Sequence, residues 1–347
     1  MVGWLRSLVF ALGALLGVAL AAPPPAQACG GFFSRKTLSG PQRPSLSYEQ
    51  TLIVFDAEKR HQHFIREVAF RAAAEPFGFV VPTPTRPTVA KVEHSPFESL
   101  RREFRFETGI GLGSIGFGRG AGTGQGFGRG AGVTVLEQKR IGSFTAFVLS
   151  ASDETALGQW LKKNGLVSST ETDPWLAHYV KMKFYYVAMR YEPGDKPKNP
   201  SAPGNLQSET VRISFDTPRA YYPYFEPNLP QGVTRTEPRM LELWLVSRAP
   251  TVPVALRQSE GKRTWVRPLQ AGQQYRAPRD GLTRALDKDA TLLPEGELVL
   301  QTFIDQKRSR QGFGDVLFLP EQPDSVTREQ LASLLPILDP SLTGGAP

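Results

Sequence analysis

Cysteine is almost missing from this chain. Cys29 is the only one in 347 residues, which excludes an intramolecular disulfide in any redox compartment and leaves stability to a hydrophobic core. Histidine is scarce too, at four residues, so imidazole chemistry has few places to sit. The longest apolar run lies in the first 22 residues, and nothing later approaches the roughly 20 residues that a membrane-spanning helix needs. Catalytic signatures are also missing: neither Gly-x-Ser-x-Gly, His-Glu-x-x-His nor Gly-x-x-x-x-Gly-Lys-Ser/Thr occurs. Gly111-x-Gly-x-x-Gly116 matches a dinucleotide fingerprint only by count, inside a glycine-rich stretch with no helical pattern after it. Ser259-Glu-Gly-Lys262 matches Ser-x-x-Lys by count, without its companion motifs.

What is present begins with a leader. Arg6 is its one charge, Leu8 to about Ala22 is apolar, and Ala26-Gln27-Ala28 is a small-x-small site before Cys29. That order reads as a cleavable signal peptide over residues 1–28, with the cut between Ala28 and Cys29. The run Pro23 to Pro25 would break a spanning helix early. The expectation is an extracytoplasmic protein, periplasmic or secreted, with no transmembrane segment after cleavage. A cysteine at the first mature position is also a candidate for lipidation, which would make the protein lipid-anchored, although Ala26 and Gln27 are poor lipobox residues. An unlipidated thiol, an intermolecular disulfide and an N-terminal nucleophile are further readings of Cys29.

Glycine and proline are abundant, 33 and 30 residues, which favours short strands and many turns. The net charge of +8 falls to +7 without Arg6, and the basic residues are interspersed with acids. This suits loose attraction to an anionic envelope surface rather than a nucleic-acid site, so no nucleic-acid partner is expected.

Strand patterns cover Tyr48 to Asp56 and His61 to Phe70, with Ala57 to Arg60 as the turn and alternation placing Phe64, Arg66, Val68 and Phe70 on one side. Phe77 to Val81 follows and is stopped by Pro82, so the opening reads as an antiparallel meander. Ser95 is a candidate N-cap, with Pro96 at the first helical position of a helix to Glu107. Residues 109–132 hold 12 glycines and repeat Gly-Phe-Gly-Arg-Gly-Ala-Gly, which predicts a disordered loop because it can bury too little surface to offset its entropy. Ser143 to Leu149 reads as a buried strand. Asp153 caps a helix through Asn164 that Gly165 ends, and Asp173-Pro174 is a second cap with a first-turn proline. Phe184 to Arg190, Thr210 to Phe215, Met240 to Val246, Lys262 to Val266 and Glu297 to Phe303 are further strands. Thr327-Arg-Glu-Gln330 resembles a capping box opening a short helix.

Three pieces occur in a recognisable order: Ala28-Cys-Gly-Gly-Phe-Phe33, Phe77-Gly-Phe-Val-Val-Pro-Thr-Pro84, and Leu157-Gly-Gln-Trp-Leu161 with Asn164-Gly165. Together they resemble the bacterial exported proteins grouped as domain of unknown function family 2330 (DUF2330). The resemblance extends to about Phe225 and implies an exported bacterial protein. It supplies no reaction and no catalytic residue, and the hydrophobic C-terminal segment that similar proteins often carry has no counterpart here.

Two constellations could carry chemistry. His61-x-His63 places two imidazoles on one strand face, with Glu67 further along it and His94 or His178 as third ligands, a pattern that can hold a metal. Two histidines in a polar turn are also ordinary solvated residues. Tyr221, Tyr222, Tyr224 and Phe225, interleaved with proline, could form a sugar or peptide platform; the plainer reading is that they cover a sheet end.

The expected fold is α+β and β-rich: mostly antiparallel sheet, two or three short helices and the glycine-rich loop. An α+β region would span residues 29–192, a linker or loop 193–204, and a β-rich C-terminal region 205–347, within one domain or two. The expected function is a non-catalytic envelope or surface module that binds or scaffolds an envelope component or protein, without a cofactor. The alternative is an extracytoplasmic metal-dependent hydrolase built on His61 and His63.

Overall fold

The computed structural model describes residues 31–34, 45–71, 77–106, 132–166, 172–191, 206–227, 239–259, 261–307 and 309–320. The leader with Ala28 and Cys29, most of the glycine-rich stretch 109–132, the 193–204 stretch and the helix expected from Thr327 lie outside them.

The β-rich α+β expectation holds. Seventeen strands, four α-helices and one 3-10 helix are described. An eight-stranded sheet forms the central layer. Its order is β15 (Gln270–Arg276), β16 (Val299–Asp305), β12 (Met240–Ser247), β2 (Ser45–Asp56), β3 (His61–Arg71), β10 (Val211–Asp216) and β5 (Thr88–Lys91), with β9 (Leu206–Gln207) pairing β3. All its pairs are antiparallel except β12 with β2. Strands from both sides of residues 193–204 therefore interleave in one sheet.

Both faces of this sheet are covered, so its central strands are apolar on alternating sides. Phe64, Val68 and Phe70 face one core, whereas Ile65 faces a second. The first core is shared with a five-stranded antiparallel sheet, ordered β1 (Gly31–Ser34), β4 (Phe77–Thr83), β8 (Tyr185–Tyr191), β7 (Phe144–Ala151) and β6 (Val133–Ile141). It is shared also with a four-stranded sheet, ordered β11 (Ala220–Tyr222), β17 (Val316–Pro320), β13 (Thr251–Ser259) and β14 (Lys262–Val266). The second core seals the other face under α1 (Phe97–Glu103) and α4 (Arg279–Leu286), through Phe97, Leu100, Leu282 and Leu286.

The opening is not a meander. β2 and β3 form the expected hairpin across Ala57 to Arg60, but β4 leaves for the other sheet, where it pairs β1 and β8. β4 also runs on through Pro82 to Thr83. Its described pairing with β1 ends at Val80, so among the described residues Pro82 has a strand neighbour on the β8 side only, and a strand-edge position tolerates a missing N–H. Gly78 in this strand is a packing requirement. A Cβ there would stand 2.1 Å from Leu166 Cδ2 and 2.4 Å from the Met189 carbonyl. Leu166 follows α2 (Glu154–Lys163), so the Phe-Gly-Phe strand and the Asn164-Gly165 helix end are two halves of one contact.

Asp153 caps α2 as expected, accepting from the Ala156 N–H at 2.6 Å, and Gly165 follows its end at φ +78°. Two other caps differ. Pro96, not Ser95, occupies the N-cap position of α1, with no side-chain cap bond. In α3 (Asp173–Lys181) the N-cap is Thr172, and Asp173 is already helical.

Candidate functional site

The eight-stranded sheet carries buried ionic groups at the end where β2 begins and β3, β12 and β16 have their outer residues. On the first-core face, Arg66 of β3 donates from Nε to Glu49 Oε1 of β2 at 2.8 Å, with both side chains buried. Arg239, just before β12, pairs with Glu226. Arg310 donates from Nε to Asp305 Oδ2 at 2.7 Å and lies 4.0 Å from Glu226. Tyr224 donates to the same Asp305 oxygen at 3.0 Å, and the Arg310 guanidinium sits 4.4 Å from the Tyr224 ring centroid.

Three carboxylates and three guanidiniums are thus enclosed, each of the six residues at most 4% exposed. An isolated buried charge costs several kcal/mol, so the pairs survive only because each charge meets its opposite within hydrogen-bond range. Burial opposes the charge on Arg239, and the carboxylates of Glu226 and Glu49 outweigh it, holding its pKa up. Lys307, at the margin, reaches Asp305 Oδ1 at 3.2 Å.

On the helix-covered face, a row runs across three strands, with Glu242 beside Gln50 and Gln50 beside Glu67. Arg101 of α1 reaches down to Gln50 Oε1 at 2.5 Å and Glu242 Oε1 at 2.8 Å. Trp244 Nε1 donates to the same Glu242 oxygen at 2.9 Å, and Tyr48 donates to the other. Burial and then the Glu242 charge push the Tyr48 phenol up, which keeps it a proton donor. Glu67 accepts from Thr210 at 2.5 Å and from Gln50 at 3.3 Å.

A third cluster surrounds Asp315. It accepts from the Tyr179 hydroxyl at 2.8 Å, the Tyr221 hydroxyl at 2.7 Å and the Phe225 N–H at 2.9 Å. Burial pushes its carboxyl up to about 6, against the opposing pull of those hydrogen bonds. Trp175 of α3 donates to the Phe225 carbonyl at 3.0 Å. The aromatic run is therefore an internal clamp, not an open platform. Tyr221, Tyr222 and Tyr224 are fully buried and Phe225 packs against the core, so the tyrosines offer no ring face to a ligand. Proline-broken extended chain lets the rings alternate into the core, and the plainer of the two readings is the one the packing follows.

The structure brings His61 and His63 together, with ring centroids 4.8 Å apart. His61 Nδ1 lies 2.6 Å from Asp216 Oδ1, and His63 Nδ1 lies 2.8 Å from Ser214 Oγ. It does not bring the other expected ligands to them. Glu67 is four residues on, about 13 Å along a strand, and holds Thr210 and Gln50. His94 is exposed beside α1, and His178 packs edge-on to Tyr179 and Phe225. Among the described residues no three His, Cys, Asp or Glu side chains gather closely enough to hold a metal ion. No described helix is long and apolar enough to cross a membrane.

Sequence reasoning passes over Glu49, Glu226, Asp305, Arg310 and Asp315. They are scattered over more than 260 positions and meet only through sheet pairing. Arg66 was the one signal available, standing on the apolar side of β3 between Phe64 and Val68.

Among solved structures, the crystal structure of baculovirus P35 is similar at a TM-score of 0.36 and 8% identity, covering 81% of this chain and 92% of that one. No curated protein matches the chain. The family described as "Uncharacterized protein conserved in bacteria (DUF2330)" matches residues 23–273. The chain belongs to that family.

Proposed function

We propose that this protein is an exported, non-catalytic binding or scaffold module of the bacterial cell envelope, periplasmic or secreted. The observation that carries the reading is how the ionisable core is used. On the first-core face its carboxylates and guanidiniums converge, as catalytic groups do, but they are buried, balanced three to three in charge and held by one another. An active site leaves its acid, base or nucleophile facing a cleft that substrate enters. The leader before Cys29 supports export, and membership of a bacterial family supports the setting. The reading requires neither metal nor cofactor, and its partner is an envelope component or protein.

The test is fractionation of a bacterial host expressing the full chain, with intact mass and metal analysis of the recovered protein. Export predicts an extracytoplasmic species whose mass begins at Cys29 and which carries no stoichiometric metal. Added acyl mass would make it the lipid-anchored form of the same module. Full-length protein in the cytoplasm, or stoichiometric zinc, would overturn the reading.

A further inference from the structure

We infer that the outer edge of β14 is a docking strand for an acidic, extended peptide segment, which adds to the four-stranded sheet as a further strand. This deepens the binding-module reading by naming the chemistry of its partner.

β13 is divided between neighbours. Thr251 to Val254 pair β17, and Ala255 to Ser259 pair β14. The other edge of that second half is closed by residues 312–314, with Gln258 N–H donating to Gly312 and Gly314 N–H to Leu256, each at 2.7 Å. β13 is therefore bonded on both sides, whereas β14 stands last in its sheet and has β13 as its one strand neighbour among the described residues. A strand edge without a neighbour presents a row of N–H and C=O groups to any chain that can lie along it.

Charge decides which chain that is. From Thr251 to Arg267, across β13, β14 and the residue that follows it, the sequence carries four cations, Arg257, Lys262, Arg263 and Arg267, against one acid, Glu260. All four cations are exposed. A second copy of the same edge would set like charges opposite each other, which is unfavourable. An acidic strand gains the ladder bonds together with Coulomb attraction.

The distribution of charge also favours a peptide over an anionic lipid surface. Lys262 and Thr264 share one face of the ribbon, and Arg257 stands opposite Thr264, whereas Arg263 points to the other face. A flat surface meets one face at a time. A strand lying along the edge meets both. Trp265, half-buried, adds a ring beside the edge.

The probe is a fluorescein-labelled seven-residue peptide, Glu-Glu-Val-Val-Glu-Glu-Val, which as a strand carries Glu on both faces, titrated into the full mature chain at low salt and read by anisotropy. Saturable binding is expected. It should weaken at least tenfold in 0.5 M sodium chloride, as charge pairing at a surface is screened, and at least tenfold in the exposed double variant Lys262→Glu/Arg267→Glu, whose folding is checked by circular dichroism. N-methylating the peptide on each of its two alternating sets of amides, in turn, should weaken binding at least tenfold for one set. No saturable binding overturns the proposal. So does equal binding of both N-methylated peptides, which would mean charge attraction without strand pairing. Binding to phosphatidylglycerol vesicles without binding to the peptide would assign the patch to a lipid surface instead. Fractionation and mass are read on separate samples, so failure here leaves the export reading standing, and a cytoplasmic location leaves the peptide titration interpretable.

Discussion

Tyr221 donates its hydroxyl to Asp315 Oδ2 at 2.7 Å, joining β11 to the residue just before β17 in an environment closed to solvent. Burial raises the Asp315 pKa from 3.8 to about 6. The folded state therefore keeps a proton that the unfolded chain releases between those values. Stability from this group is full below pH 3.8 and is lost as pH rises through 6, a change of up to ~3 kcal/mol at 1.36 kcal/mol per unit. Asp315→Asn removes that slope. Relative to the wild type, the variant should be least favoured at pH 4 and gain steadily to pH 7 in urea unfolding. A difference that stays flat across that range contradicts the assignment.

His63 behaves with the opposite sign. Burial first, then the neighbouring His61 and Arg212, lower its pKa from 6.5 to about 4. The folded state resists a proton that the unfolded chain takes up, so this stability is present above pH 6.5 and is lost as pH falls toward 4. His63→Gln keeps a side chain able to bond Ser214 and removes the titration. Its melting temperature should fall less than that of the wild type between pH 6.5 and pH 4.5; parallel curves would show that His63 is already solvated.

Gly281 of α4 faces Phe104, and a Cβ there would stand 2.5 Å from Phe104 Cζ. Alanine favours a helix over glycine by about 1 kcal/mol, but overpacking costs ~1–3 kcal/mol. Gly281→Ala should therefore destabilise by about 1 kcal/mol. In a Phe104→Leu background the same substitution should become neutral or stabilising, because the clashing ring edge is gone. Additive effects of the two changes would separate α1 from α4.

Legibility in the sequence followed the kind of signal each element left. The β3 alternation and the α2 stripe with its Asp153 cap were readable because period and cap agree with the final packing. β13 was missed because Pro253 and its polar last residues mimic a loop, β15 because Gln-Ala-Gly-Gln-Gln-Tyr-Arg has no apolar alternation, and α4 because Gly281 sits inside it. The excursion of β4 to another sheet was invisible, since strand pairing over long separations leaves no local mark. The same holds for the buried pairs: Glu226 and Arg310 are 84 positions apart, and neither lies in a motif. The tyrosine run was visible as a cluster, but its direction into the core depended on Asp315, far along the chain.

The claim that the ionisable core is structural is tested most directly at Arg310 and Asp305. Unfolding free energies of Arg310→Met, of Asp305→Leu and of the double variant form a cycle across this pair, joined at 2.7 Å and with both side chains fully buried. Each single change should cost about 3–5 kcal/mol by leaving a buried charge without its partner, and the double variant should recover much of that loss. Single losses under about 1 kcal/mol, typical of exposed pairs, would mean that water reaches these groups, and would contradict an account in which they hold the layers together.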